Sequence, residues 1–228
     1  TVALRGDGTV FAWGRNAGRE LADGTATMRL QPVVSGGVTG ATAISVGDGF
    51  SLARLVDGRV VGWGGNGFSQ LGDGTTTNPR PWPVFATGIT SAAAVDAGSS
   101  HALALLTDGT VVGWGQNNAG QIGDGSTTGR TVPTPVPGLT NAVAVSAGSG
   151  FSLAVTADGT AWSWGGNGNG QLGTGNTTAR STPDTVPGLT NVRAVAAGTF
   201  TSYFLMADGT VRAVGSNAGG AGAGGALG

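Results

Sequence analysis

The sequence predicts an all-β fold built of β-propeller blades, each of four antiparallel strands, and three observations carry that prediction. A Trp-Gly pair recurs at Trp13, Trp63, Trp114 and Trp164, with a degenerate fifth copy at Val214-Gly215. An Asp-Gly pair stands six residues before each, at Asp7, Asp57, Asp108, Asp158 and Asp208, and the steps between copies are 50, 51, 50 and 50 residues. Short apolar runs flank every Asp-Gly, and no segment sustains a helical period.

Each Asp-Gly sits between two strands, as in Leu103-Ala-Leu-Leu-Thr-Asp-Gly-Thr-Val-Val-Gly-Trp114. Asp-Gly supplies the positive φ angles of a tight type I′ turn, so the segment reads as a hairpin. Both faces of these strands are apolar, which suits a blade packed between two neighbours. Small residues precede each Trp (Ala12, Gly62, Gly113, Ser163), a large/small alternation fitted to tapered packing. A further strand lies upstream of each hairpin, at 43–46, 92–95, 142–145 and 192–195, and leads into Gly47, Gly98, Gly148 or Gly198. Before it comes a Pro-rich stretch such as Pro133-Thr-Pro-Val-Pro137. Proline cannot donate to a central ladder, so this stretch belongs at a blade's outer edge.

The unit is four strands in about 50 residues, the size of one propeller blade. Counted this way, residues 1–217 form one repeat array: a half blade at 1–14 and units at 15–64, 65–115, 116–165 and 166–215. A Gly/Ala-rich tail follows at 218–228. Five hairpins and four upstream strand pairs make about four and a half repeats, an arc with open edges rather than a ring. Missing repeats or self-association would close it, since an unpaired edge is an aggregation template. Thr1 opens in mid-repeat with neither an initiating Met nor a signal peptide, and a mature piece or a fragment is expected.

Composition narrows the function classes. The 46 glycines recur at fixed intervals between apolar stretches and so read as turns, not as disorder. Charge is sparse and balanced, with eleven Arg, no Lys, eleven Asp and one Glu. No basic run marks a nucleic-acid partner, and no stretch of about 18 or more apolar residues inserts into a membrane. Without Cys there is no thiol chemistry, disulfide or thiolate-bound zinc. No cofactor and no metal is expected.

The most constant text follows the Trp-Gly pair: Asn66-Gly-Phe-Ser-Gln-Leu-Gly-Asp-Gly74, Asn117-Asn-Ala-Gly-Gln-Ile-Gly-Asp-Gly125 and Asn167-Gly-Asn-Gly-Gln-Leu-Gly-Thr-Gly175. The first copy departs from it, reading Asn16-Ala-Gly-Arg-Glu-Leu-Ala-Asp-Gly24. Together with the preceding Gly-x-x-(Phe/His)-x-Leu-Ala element, this text resembles the regulator of chromosome condensation (RCC-type) repeat, over essentially the whole chain to Asn217. The resemblance implies an arc of a larger propeller, commonly seven-bladed. It also brings precedents for function: nucleotide exchange on a small GTPase, and secreted bacterial propellers that bind β-lactamases through an aromatic-rich face.

The repeated residues read as scaffold. Trp13, Trp63, Trp114 and Trp164 are expected in the core. Asp57, Asp108, Asp158 and Asp208 are turn formers, and Asp73 and Asp124 read as turn residues rather than calcium ligands, with Thr174 in the fourth copy. His101 is the single histidine and lacks the nucleophile and orienting acid that catalysis would need.

Function is therefore sought in what varies between copies. Two loops vary: the Gly-x-x-Phe/His stretch (Asp48, Phe50, Ser100, His101, Phe151, Phe200) and the stretch after the Trp-Gly pair (Phe68, Asn118, Asn169). Phe50 and Phe151 are weighed equally as contact residues and as plugs between blades. Trp82, in the Pro-rich strand, has no counterpart and marks a separate contact. The reading is a non-catalytic module that binds a protein partner through loops on one face, extracellular or at a bacterial cell surface. Three alternatives stand beside it: an architectural or fibre-forming array, a guanine nucleotide exchange factor, and a carbohydrate-active or carbohydrate-binding propeller. A carbohydrate-active site would need a carboxylate pair, for which Asp48 and Asp96 are the candidates outside turns.

Overall fold

The computed structural model describes residues 1–217 and contains eighteen strands in five antiparallel sheets. The predicted tail at 218–228 lies outside the described residues. The first sheet holds β1 (Val2–Leu4), β2 (Val10–Gly14) and β3 (Arg29–Val34). Three complete sheets follow, each ordered as in sequence. They are β4 (Ala41–Val46), β5 (Phe50–Leu55), β6 (Val60–Gly64) and β7 (Arg80–Phe85); then β8 (Ala92–Ala97), β9 (His101–Leu106), β10 (Val111–Gly115) and β11 (Arg130–Pro135); then β12 (Ala142–Ala147), β13 (Phe151–Thr156), β14 (Ala161–Gly165) and β15 (Arg180–Thr185). The fifth sheet has β16 (Val192–Ala197), β17 (Thr201–Met206) and β18 (Val211–Gly215).

The frame of the blades differs from the units counted in sequence. Each Pro-rich strand pairs with the hairpin before it, β3 on β2, β7 on β6, β11 on β10 and β15 on β14. The second sheet thus runs from 41 to 85, and the units 15–64, 65–115, 116–165 and 166–215 cut across sheets. Local pattern marks an edge strand but does not say which neighbouring sheet it edges. The hairpin turn also differs from expectation. Gly58, Gly109 and Gly159 have positive φ, but the Asp before each does not, so these are type I turns closed by a Gly bulge rather than type I′ turns. Each Asp instead accepts the backbone N–H two residues on, from Arg59, Thr110, Thr160 and Thr210. The Arg59 N–H holds the Asp57 carboxyl below the usual carboxylate range, and the Thr110 hydroxyl together with its N–H does so for Asp108.

Four apolar layers lie between the five sheets. Trp63 packs with Val10, Ala22 and Val38, Trp114 with Leu52, Val60 and Leu71, and Trp164 with Leu103, Val111 and Leu139. In the last layer, where the Trp gives way to Val214, Phe204 supplies the aromatic bulk beside Leu153 and Leu172. Each indole also donates to the backbone carbonyl of the preceding sheet's loop: Trp63 to Glu20, Trp114 to Gln70 and Trp164 to Gln121, at 2.8–2.9 Å. The glycine two residues beyond that carbonyl leaves room for the ring, since a Cβ on Gly72 or Gly123 would lie 2.9 or 2.6 Å from the indole.

Both ends of the arc expose the face that interior sheets bury. Val60, Val111 and Ala161 are 0–1% exposed under the following sheet, whereas the equivalent Val211 is 63% exposed. Tyr203 and Leu205 are uncovered in the same way, and at the other end Trp13 and Phe11 are only half-buried. Trp114→Ala should therefore cost about 3–5 kcal/mol in a urea titration, and Trp13→Ala distinctly less; equal losses would mean that the layer between sheets is not what the Trp stabilises.

Candidate functional site

One face of the arc carries both variable loops, and hydrogen bonds between backbones put them there. In successive sheets Gly65 donates to the Gly49 carbonyl, Gln116 to Ser100, Gly166 to Gly150 and Ser216 to Phe200, at 2.7–2.9 Å. The loop between the inner strands and the loop after the Trp-Gly pair are thus adjacent in each of the last four sheets. The Asp-Gly turns occupy the opposite face.

The post-Trp loop is braced from within by its constant residues. The buried Asn66 side chain donates to Asp73 Oδ1 and to the Thr75 and Thr77 carbonyls, and its Oδ1 accepts the Leu71 N–H. Asn16, Asn117 and Asn167 repeat the pattern. Arg29, Arg80 and Arg130 reach back from the start of the outer strand to Asp23, Asp73 and Asp124, at 2.5–2.6 Å. Burial alone would raise Asp23, but the Thr25 N–H, the Arg29 guanidinium and the Asn16 amide outweigh it and hold the carboxyl at about 2. The oxygens of Asp73 and Asp124 are likewise occupied by this loop network. Among the described residues, no group of three His, Cys, Asp or Glu side chains comes together to hold a metal ion.

Gln does two jobs in this loop. Its carbonyl receives the next sheet's indole, and its side-chain oxygen accepts the backbone N–H of the variable residue: Phe68 on Gln70, Ala119 on Gln121, Asn169 on Gln171, each at 2.9 Å. The variable side chains therefore project from a clamped backbone. Phe68 is 53% and Phe200 50% exposed, and Asp48, Asn118 and Asn169 are exposed with them. Ser100 is half-buried. Trp82 stands apart on the outer strand β7, its ring over Gly24 and Gly36 of the first sheet's connections; a Cβ on either would lie 2.7–2.8 Å from it.

Phe50, His101 and Phe151 require correction as binding residues, because all three are sealed between sheets. Each ring lies over the glycine that opens its loop, Gly47, Gly98 or Gly148. His101 Nε2 lies 2.9 Å from Ser152 Oγ. Ser152 donates its own proton to the Gln121 carbonyl at 2.7 Å, so the imidazole is the donor and the serine is not activated as a nucleophile. Burial lowers the His101 pKa to about 4 and keeps the ring neutral near pH 7. Asp96 is also consumed. One oxygen accepts Ser45 Oγ at 2.8 Å, and the other accepts Ser146 Oγ and the Ala147 N–H, tying three sheets together.

Comparison with known proteins agrees with this architecture. The family model of the RCC1-like domain matches residues 1–226. The chain belongs to the RCC1-like domain family. Its fold is similar to that of yeast RCC1 (Prp20) solved in complex with Kap60, with a TM-score of 0.79 at 23% identity, over 95% of this chain and 54% of that one. Human WBSCR16 superposes with a TM-score of 0.77 at 24% identity, over 87% of this chain and 53% of that one. The chain spans about half the length of these two proteins.

The fold accommodates Phe at the position of His101, since Phe50 and Phe151 open β5 and β13 as His101 opens β9 and are buried as fully. An unfolded histidine takes up its proton near 6.5, while the buried one does so only at about 4. Between those values the unfolded chain binds more protons, so His101 makes stability fall as pH falls. His101→Phe should abolish that part of the acid sensitivity. Urea midpoints at pH 7 and pH 4.5 check this, and parallel losses in both proteins would contradict it.

Proposed function

We propose that this chain is a non-catalytic, protein-binding RCC1-like module that recognises its partner with the loop face. The observation that carries the reading is the division of labour within each repeat. The constant Asn, Gln, Trp and Asp side chains are consumed in building loops and joining sheets, while Phe68, Phe200, Asn169 and Asp48 project from clamped backbones and Asn118 stands exposed on the same side. Exposed aromatics among small polar residues are the composition in which a few anchors concentrate binding energy.

Family membership supports a binding role, since yeast RCC1 (Prp20) was solved bound to Kap60 and was studied for binding to Gsp1p and histones. Those partners belong to that protein. For this chain, the lack of Lys and the sparse charge argue for a partner that is neither nucleic acid nor a strongly charged tail. The same composition, with loops rich in Gly, Thr and Asn, motivates a location outside a bacterial cell or on its surface. A carbohydrate-active site is disfavoured because Asp96 has no free oxygen to pair with Asp48.

Hydrogen exchange of the chain with a captured protein ligand tests the reading. Protection is expected in loops 47–50, 66–70, 98–101 and 116–121. Protection confined to the Asp-Gly turns of the opposite face would overturn it. Release of labelled GDP from a small GTPase is expected to stay at the uncatalysed rate, and acceleration would favour exchange-factor function instead.

A further inference from the structure

The loop face holds two shallow hollows that share a wall. One lies between Phe68 and the loop of the next sheet, against Gln116, Asn118 and Thr127, with a volume of about 380 Å³. The second runs from Gln116 and Asn118 past Gln121 and Gln171 to Phe200, with a volume of about 310 Å³. Each is at the lower end of the size of ligand pockets. Because Gln116 and Asn118 line both, the hollows form one track, with an exposed aromatic ring at either end and a ridge of two carboxamides between. No Asp, Glu or Arg lines either hollow.

The chemistry of this track is specific. Gln116 is engaged through its backbone N–H alone, which leaves its carboxamide available, while Asn118 Oδ1 accepts Gln121 Nε2 at 3.4 Å and its amide N–H groups remain for a ligand carbonyl. A carboxamide offers a donor and an acceptor together, the complement of a peptide unit's C=O and N–H. The two rings stand on tied backbone: Phe68 N–H is held by Gln70 and the Phe200 carbonyl by Ser216, so little backbone freedom is lost on contact. A charged side chain laid along the track would be stripped of water with no counter-charge to meet it.

We propose that this track binds an extended, uncharged peptide segment, with one apolar side chain seated beside Phe68, a second beside Phe200, and the intervening backbone paired to Gln116 and Asn118. The proposal rests on the protein-binding reading above and deepens it by naming the groove and the chemistry of its ligand.

The probe is a set of peptides selected from a random library on the immobilised 228-residue chain, with affinities measured by fluorescence anisotropy. Selected sequences are expected to carry two apolar residues flanking an uncharged stretch. Phe68→Ala and Phe200→Ala should each weaken binding about tenfold or more, with unchanged far-UV circular dichroism, since both side chains are half-exposed. Replacing one apolar peptide residue by Ala should make the peptide indifferent to one of the two variants and leave it sensitive to the other. Asn118→Ala should weaken every selected peptide.

Peptides that protect the loop face from exchange yet are indifferent to both Phe variants would overturn the groove while leaving the protein-binding reading standing. Failure to select any peptide, with neutral oligosaccharides binding in a Phe68- and Phe200-dependent way, would overturn the peptide assignment. Protection on the opposite face would sink both readings.

Discussion

Successive sheets of this protein approach so closely at one column of glycines that no side chain fits there, and the curvature of the arc follows from that approach. A Cβ on Gly47 would lie 2.4 Å from the Gly98 carbonyl, one on Gly98 2.4 Å from Gly148, and one on Gly148 2.7 Å from Gly198. Neither Gly47, Gly98 nor Gly148 has a positive φ, so the requirement is space and not backbone freedom. A second column, the Gly of Asp-Gly, meets the next sheet from the opposite face. Its carbonyl accepts the N–H of the next inner strand at Ala92, Ala142 and Val192, and a Cβ there would press on Thr90, Asn141 or Asn191. The sheets diverge outward from these columns, and the Trp layers fill the space that opens between them.

This construction explains why so much sequence is constant and so little of it is exposed chemistry. The first repeat tests the account, because it reads Glu-Leu-Ala where the others read Gln-Leu-Gly or Gln-Ile-Gly. Ala22 still adopts the left-handed conformation, with φ at 51°, and Glu20 still offers its carbonyl to Trp63. Its carboxylate turns to Arg15 instead. The fourth repeat replaces Asp by Thr174, and its Arg180 pairs with Asp184 of the outer strand rather than with the loop. Individual loop bonds can therefore be exchanged while the sheet contacts persist.

How much of this was legible in the sequence depended on whether the interaction was local. The hairpins and the core position of Trp63, Trp114 and Trp164 follow from the apolar runs around Asp-Gly, whereas Trp13, on the first sheet, is only half-buried. The sheet to which each Pro-rich strand belongs does not follow, because the choice lies between two partners of equal local pattern. Asp-Gly serves a type I turn with a Gly bulge as well as a type I′ turn, so the dipeptide alone does not choose between them. Phe50 and Phe151 offered burial and contact equally, and only the spacing of the sheets decides for burial. The pairing of Arg29, Arg80 and Arg130 with the loop Asp is non-local, and its signal in the sequence is an Arg at the corresponding place of each repeat. Exposed Phe68 was legible for a simple reason: it interrupts a text that is otherwise Gly, Asn and Ser.

The close approach of sheets is tested most directly by a pair of glycine substitutions that differ only in space. Gly98 and Gly168 both lie outside the left-handed region, but a Cβ on Gly98 meets the Gly148 carbonyl and the His101 ring, whereas one on Gly168 meets nothing within 4 Å. The first repeat already carries Ala17 at the place of Gly168. Urea unfolding of Gly168→Ala should match the parent within about 0.5 kcal/mol, and Gly98→Ala should lose several-fold more or fail to fold. A Gly98→Ala protein as stable as Gly168→Ala would contradict the account, because the sheets would then not be held apart by the width of a glycine.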